Sequence, residues 1–201
     1  MKRVCLAVLA LTAPALLAAC DPVTLAVGAG AGVGTAAASD GGVDAAANDA
    51  KIRIEINDLW FRQSVELYRD VSLTISEGRV ELTGSVKKPE TRVEAVRLAW
   101  QAAGVKQVID DIQVTDQSGI SDYASDVWIA NDLRTRLMFD KQIKNINYTV
   151  DVVNGTVYLM GVARDQAELD RVIAHARDID GVQRVVNNVV LRNDPRRTGS
   201  N

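Results

Sequence analysis

The sequence predicts an α+β protein made of two tandem copies of one small α-β-β-α-β unit. Three observations carry that prediction. The stretch EGRVELTG at Glu77–Gly84 returns as NGTVYLMG at Asn154–Gly161, an offset of 77 residues. The same offset lays residues 49–114 onto residues 126–191 without a gap. Ile52 meets Ile129, Ile56 meets Leu133, Trp60 meets Leu137, Val80 meets Val157, Leu82 meets Leu159 and Gly104 meets Gly181. These matched positions are the ones that fix turns and cores. Within each copy, finally, the apolar spacing switches between a helical and a strand period.

The elements follow in order. Ile52, Ile56 and Trp60 recur every four residues and predict an amphipathic helix. Val71, Leu73 and Ile75 alternate as in a half-buried strand, Gly78 supplies a turn, and Val80 and Leu82 alternate in a second strand. Pro89 suits the first turn of a second helix, with Val93, Val96, Trp100 and Ala103 expected on its inner face. Gly104 closes that helix, and Val108, Ile112 and Val114 form a third strand. In the second copy Asp165 and Glu168 have capping spacing, the inner face is Leu169, Val172, Ile173 and Ala176, and Gly181 closes the helix. Strands one and two form an antiparallel hairpin. Strands two and three are joined through a helix and run parallel. The result is a three-stranded mixed sheet with both helices on one face. A unit of about 65 residues is small for independent stability, so the copies are expected to pack on each other.

The ends read differently. Lys2 and Arg3 precede an apolar run, Val4 to Leu17, that is short for a permanent membrane span, and Leu17-Ala18-Ala19-Cys20 follows. Residues 1–19 therefore read as a lipoprotein signal peptide and Cys20 as the acylated first residue of the mature chain. Cys5 leaves with the signal, so the mature chain holds one cysteine and no internal disulfide. Residues 20–48 form an Ala/Gly-rich tether without the large side chains needed to offset ordering entropy. Its glycines do not make a dinucleotide fingerprint, because Val33 stands where the third glycine belongs. The two units span residues 49–116 and 124–193, and residues 194–201 are expected to be a disordered polar tail.

Charge and residue inventory narrow the function. The net charge of −3 becomes −5 without Lys2 and Arg3, which argues against a nucleic-acid binder working by bulk charge. His175 is the sole histidine, so neither a metal cluster nor a His-based catalytic site is expected. Asp110 and Asp111 become Asn187 and Asn188 in the second copy, which points to a turn or bulge role rather than acid–base chemistry. No enzyme activity is expected, and no cofactor beyond the acyl groups on Cys20.

The helix, the GxVxLxG turn-strand and the later Gly-Val-x-x-Val strand, together with SDVWIANDLRTRL and NGTVYLMGVA in the second copy, resemble the BON-domain family. Behind a lipobox and a tether, two such copies resemble the dual BON-domain envelope lipoproteins of the DolP (YraP) type. The resemblance implies a periplasm-facing lipoprotein that binds anionic phospholipid through the first helix of its second domain and supports outer-membrane integrity. Asp21, directly after the acylated cysteine, is an inner-membrane retention signal in enteric bacteria, so the resemblance leaves both membranes open.

A helical wheel over Asp126–Phe139 supports a site on that helix. Ile129, Leu133 and Leu137 share one side, while Trp128, Asn131, Thr135, Met138 and Phe139 fall on the other, with Arg134 at its edge. Tryptophan suits a membrane interface, and Arg134 is the candidate phosphate partner, with Arg136, Lys141 and Lys144 close in sequence. Three other readings stay open. The stripe is the contact with the first domain, whose matching helix carries outward Ile54 and Phe61, or it is a set of scattered surface residues, or the protein is an adaptor that docks on outer-membrane assembly machinery or a cell-wall protein.

Overall fold

A computed structural model describes residues 36–115 and 120–198. The expected signal peptide, Cys20 and the first part of the expected tether lie outside the described residues. Helix α1 spans Gly42–Gln63 and α2 Val65–Asp70; β1 (Val71–Ser76), β2 (Arg79–Val86), α3 (Pro89–Ala99), β3 (Gln107–Asp110) and β4 (Gln113–Val114) complete the first unit. The second unit holds α4 (Ile120–Phe139), a 3-10 turn (Asn145–Asn147), β5 (Tyr148–Val153), β6 (Thr156–Ala163), α5 (Gln166–Arg177) and β7 (Arg184–Leu191), followed by α6 (Pro195–Thr198).

The expected topology is present in both copies. β1 and β2 pair antiparallel with Val71 opposite Gly84, and β3 and β4 pair parallel to β2. β5 and β6 pair antiparallel, and β7 runs parallel to β6 along its whole length. The third strand of the first unit is split at Asp111 and Ile112, whereas β7 is continuous.

One carboxylate per copy ties helix to hairpin. Asp49 accepts from the backbone N–H groups of Glu77 and Gly78 (2.8 Å each). Asp126 accepts from those of Asn154 and Gly155 (2.7 and 2.8 Å). Glu77 and Asn154 both adopt positive φ, so each turn is strained, and the aspartate holds the N–H groups that the turn leaves free. Gly84 and Gly161 let the hairpin partner approach the backbone closely. A Cβ at Gly161 would lie 1.9 Å from the Asn147 carbonyl oxygen, and one at Gly84 would lie 2.3 Å from that of Asp70.

Both cores lie between a sheet and its helices. In the first, Ile52, Ile56 and Trp60 meet Val80, Leu82, Ala95, Leu98 and Ala99. The inner face expected for α3 is corrected: Val93, Trp100 and Ala103 are exposed, Val96 packs partly buried on the core, and Ala95, Leu98, Ala99 and Ala102 face inward. The large Trp60 ring, with its indole N–H donating to the Ala95 carbonyl (3.2 Å), fills the space that the small alanines leave. In the second core, Ile129, Leu133 and Leu137 pack on Val157, Leu159, Leu169, Val172 and Ala176, with Ile173 partly buried as expected.

The other faces of the two sheets pack on each other, giving helix, sheet, sheet and helix layers. β1 lies against β6 and β2 against β5, which is the exchange a twofold rotation between the copies requires. Asp111 and Asn188, equivalent positions in the two copies, hydrogen-bond to each other (2.8 Å), so the axis passes between them. This joint combines polar bonds with buried apolar side chains of the second sheet, Tyr158, Met160, Val162 and Val190. Arg79 donates to the carbonyls of Asn188 (2.9 Å) and Gly161 (3.1 Å), and Thr83 donates to Asp151. Gln113 donates to the Val153 carbonyl (3.1 Å) and the Tyr158 hydroxyl (3.2 Å) and accepts from Asn154 (2.8 Å).

Two expectations about the ends change. Helix α1 begins at Gly42, inside the stretch expected to be tether. Just before it, Asp40 accepts from Lys144 (2.8 Å) and Arg192 (2.7 Å) of the second unit. Burial raises the Asp40 carboxyl, but these two cations outweigh it and hold it at about 2. The expected disordered tail is also bound: Arg197, in α6, donates to both oxygens of Glu77 (2.8 and 2.6 Å) and to the Asp40 carbonyl (3.3 Å). Sequence composition missed this clasp because its partners lie more than 100 residues apart.

Candidate membrane-binding face

Helix α4 has two faces. Ile129, Leu133 and Leu137 point into the core. The outward side carries Trp128, 54% exposed, with Met138 and Phe139, the last 74% exposed. Asn131, Arg134 and Thr135 are exposed between them. The sheet-to-sheet joint accounts for the contact between the domains, so the stripe is not the domain–domain interface. Tyr123 and Val127 extend the same exposed face toward the start of α4. Tyr123 lies before the stretch Asp126–Phe139 of the helical wheel and Val127 within it, and their spacing from Asn131 (eight and four residues) places both on this face.

Polar groups along the stripe are largely satisfied within the protein. The Thr135 hydroxyl donates to the Asn131 carbonyl (2.8 Å), so it presents its methyl outward at little cost in hydrogen bonding. Arg134 reaches back across the helix. One Nη donates to the Val150 carbonyl (2.6 Å), and the other contacts the Asn131 side chain (3.4 Å). The guanidinium is thereby held at a fixed place at the rim of the stripe, with further N–H groups left over.

The neighbouring charges divide. Arg136 pairs with Asp132 (3.0 Å) and Asp178 (2.8 Å), which neutralises the Asp132 carboxylate close to the stripe. Lys144 is committed to Asp40. Lys141, two residues past Phe139, is exposed and has no partner among the described residues.

The other singled-out residues have structural partners. His175 contacts Asp140 (2.9 Å) at the surface, and the same carboxylate faces Arg171 (3.6 Å). Asp110 pairs with Arg92 (2.8 Å), and its side chain accepts from the Ile112 backbone; Asn187 does the same for Val189. The Asp-to-Asn change between the copies therefore keeps a local turn bond. Among the described residues, no group of three or more His, Cys, Asp or Glu side chains is placed to hold a metal ion. No described helix is long and apolar enough to cross a membrane.

Two α-β-β-α-β units docked through their sheets, with an exposed aromatic stripe on one outer helix, make a tandem arrangement of one small fold. The chain belongs to the BON-domain family: residues 45–116 and again 125–193 match the BON domain. It is 38% identical over 146 residues to an uncharacterized protein in the gshII 5' region of Anaplasma centrale, covering 72% of this chain and 95% of that one. It is 30% identical to the osmotically-inducible protein Y of Escherichia coli over 122 residues, 60% of this chain and 61% of that one. It is 29% identical to the outer membrane lipoprotein DolP of Haemophilus influenzae over 110 residues, 54% of this chain and 56% of that one. The match thus spans a little over half the length of the last two relatives.

Proposed function

We propose that the chain is a periplasm-facing envelope lipoprotein, anchored through acylated Cys20, whose α4 outer face binds anionic phospholipid and helps maintain the outer membrane. The observation that carries this reading is the exposure of Trp128, Met138 and Phe139 on a helix whose domain contact is made elsewhere. The name of the Haemophilus relative, an outer membrane lipoprotein, supports that placement. Asp21 keeps inner-membrane retention as the alternative location.

The magnitudes suit a reversible contact. Full burial of a large apolar side chain is worth about 1.5–3 kcal/mol, and these side chains are half to three-quarters exposed, so the three together supply on the order of 3 kcal/mol. Arg134 and Lys141 near an anionic surface add about 1 kcal/mol each. Weak binding of this size suffices when an acyl anchor already holds the domain at the bilayer. The helix then selects lipid composition, and the anchor supplies residence.

The test is co-sedimentation of the protein without its acyl anchor (residues 36–201) with phosphatidylglycerol or cardiolipin vesicles, compared with neutral ones. Selective binding to anionic vesicles, lost in Trp128→Ala and Arg134→Glu, supports the reading. Absence of binding to either vesicle by the folded protein moves the function to a protein adaptor. A second exposed face favours that alternative: Phe61 and Tyr68 of the first domain stack edge to face (5.8 Å, 84°) beside exposed Ile54 and Val65.

A further inference from the structure

The joint between the two sheets encloses more negative than positive charge. Glu81 is 1% exposed and projects from β2 toward the second domain. Its carboxylate accepts from the Asn188 side-chain amide of β7 (2.7 Å), and the same amide donates to Asp111, in the loop after β3 (2.8 Å). Asp151 of β5 lies alongside and accepts from Thr83. The facing cation is Arg79 of β2, itself 2% exposed, and it spends its two Nη groups on backbone carbonyls while its Nε has no partner. Three carboxylates thus face one guanidinium that ion-pairs with none of them.

Such an arrangement is poorly neutralised when every carboxylate is ionised. Removing a charge from water without a matching counter-ion costs more than its hydrogen bonds return, and the group responds by holding a proton. Asn188 adds direction to the argument. Its counterpart in the first copy is Asp111, so a symmetric joint would set two carboxylates against each other on the axis. The amide there relieves one repulsion and leaves the Glu81 charge as the remaining misfit.

We propose that the sheet-to-sheet joint is a proton-linked latch, in which one proton taken up by the Glu81–Asp111–Asp151 cluster tightens the docking of the two domains and its release loosens it. Burial pushes the Glu81 carboxyl up to about 7; the Asn188 hydrogen bond opposes this, Asp111 and Asp151 add to it, and Arg79 opposes it weakly. Burial raises Asp151 as well, with a small addition from Asp126, against the hydrogen bonds from Thr83 and the Val152 backbone and the positive charge of Arg134. The sign follows directly. The unfolded Glu81 titrates near 4.5, so between that value and about 7 the folded protein binds more protons than the unfolded chain. Stability is greatest below the unfolded value and falls as pH rises through this window. The joint is firm in mild acid and weaker at neutral pH.

The test is urea unfolding of the full-length protein in neutral detergent, followed by far-ultraviolet circular dichroism. Between about pH 5 and about pH 7.5 the wild-type folding constant is expected to fall roughly 60-fold. Glu81→Gln keeps an acceptor for Asn188 and removes the charge, so its folding constant is expected to fall much less than that of the wild type across the same window. The wild-type Glu81 carboxyl carbon resonance, which needs no variant, is expected to titrate near 7. A wild-type folding constant that does not move, a Glu81→Gln variant that keeps the wild-type slope, or a Glu81 resonance titrating near 4.5 overturns the latch. If Glu81→Gln does not fold, the resonance decides.

Discussion

Helices α1 and α4 occupy equivalent places in the two copies, and only their inner faces agree. Ile52, Ile56 and Trp60 stand where Ile129, Leu133 and Leu137 stand, and all six are buried. Outside, Lys51 faces solvent where Trp128 does, Ile54 where Asn131 does, and Arg62 where Phe139 does. Packing density constrains the inner positions, because a changed volume there opens a void or forces a clash. The outer positions carry no such constraint and are where two copies of one fold can acquire different surfaces. A further difference follows each helix: α1 runs into α2, which places Tyr68 against Phe61, whereas α4 ends at Phe139 and leaves that ring open.

The strongest way to test the shared half of this comparison is to damage both copies at the same place. Gly161→Ala sets a Cβ 1.9 Å from a carbonyl oxygen at φ 140, and Gly84→Ala does so at 2.3 Å and φ 114. Each is expected to cost about 4 kcal/mol, read as a large fall in thermal midpoint or loss of folded protein. Next in size, Asp126→Ala and Asp49→Ala each strip two backbone N–H groups of a charged acceptor. A loss of about 2–3 kcal/mol per variant by urea unfolding is expected, similar in the two copies. A large inequality would break the equivalence of the hairpins.

A smaller effect probes what the copies do not share. Asp40→Asn removes a carboxylate held by Lys144 and Arg192, for which the described residues of the second copy show no counterpart. About 1 kcal/mol at neutral pH is expected, since Arg192 is half exposed and its pairing is screened. The wild-type contribution has the sign of a depressed acid. It is fully present above the ordinary value of 3.8 and is lost as pH falls toward about 2. Asp40→Asn should show a shallower acid-side loss than the wild type. The smallest expected change in stability, under about 0.5 kcal/mol, belongs to Trp128→Ala and Phe139→Ala, because both side chains are exposed. A larger loss there would mean that the stripe serves the fold.

The fold was legible because the chain states it twice. The strand order, the hairpin glycines and the inner faces of α1, α4 and α5 all follow from period and offset. The misreading of α3 shows the limit. Val93 and Trp100 look like core residues by chemistry, yet the repeat sets Asp170 and Arg177 at those positions, and the second copy would have turned the helix correctly. The packing of the copies on each other was expected from their size, but the surfaces used were only half legible. Arg79, Glu81 and Thr83 alternate with Val80 and Leu82 as a solvated strand face would, whereas in β6 Tyr158, Met160 and Val162 alternate with Val157 and Leu159, so that strand is apolar on both faces, a local sign of burial on both sides. The candidate site divides the same way. Trp128, Met138 and Phe139 were readable from helical phase alone. The commitments of Arg134 to Val150, Arg136 to Asp178 and Lys144 to Asp40 depend on residues distant in sequence, and no pattern announced them.

The central claim, that the outer face of α4 and not that of the first domain meets the bilayer, is open to one direct measurement. Of the three tryptophans, Trp60 is buried in the first core, Trp100 is exposed on the first domain and Trp128 is exposed on α4. Phosphatidylglycerol vesicles with brominated acyl chains quench an indole that enters the interface. With Trp100→Phe, vesicle-dependent quenching is expected to persist at nearly its wild-type extent; with Trp128→Phe, it is expected to vanish. Quenching that follows Trp100, or fluorescence that no brominated vesicle alters in either variant, would contradict the account.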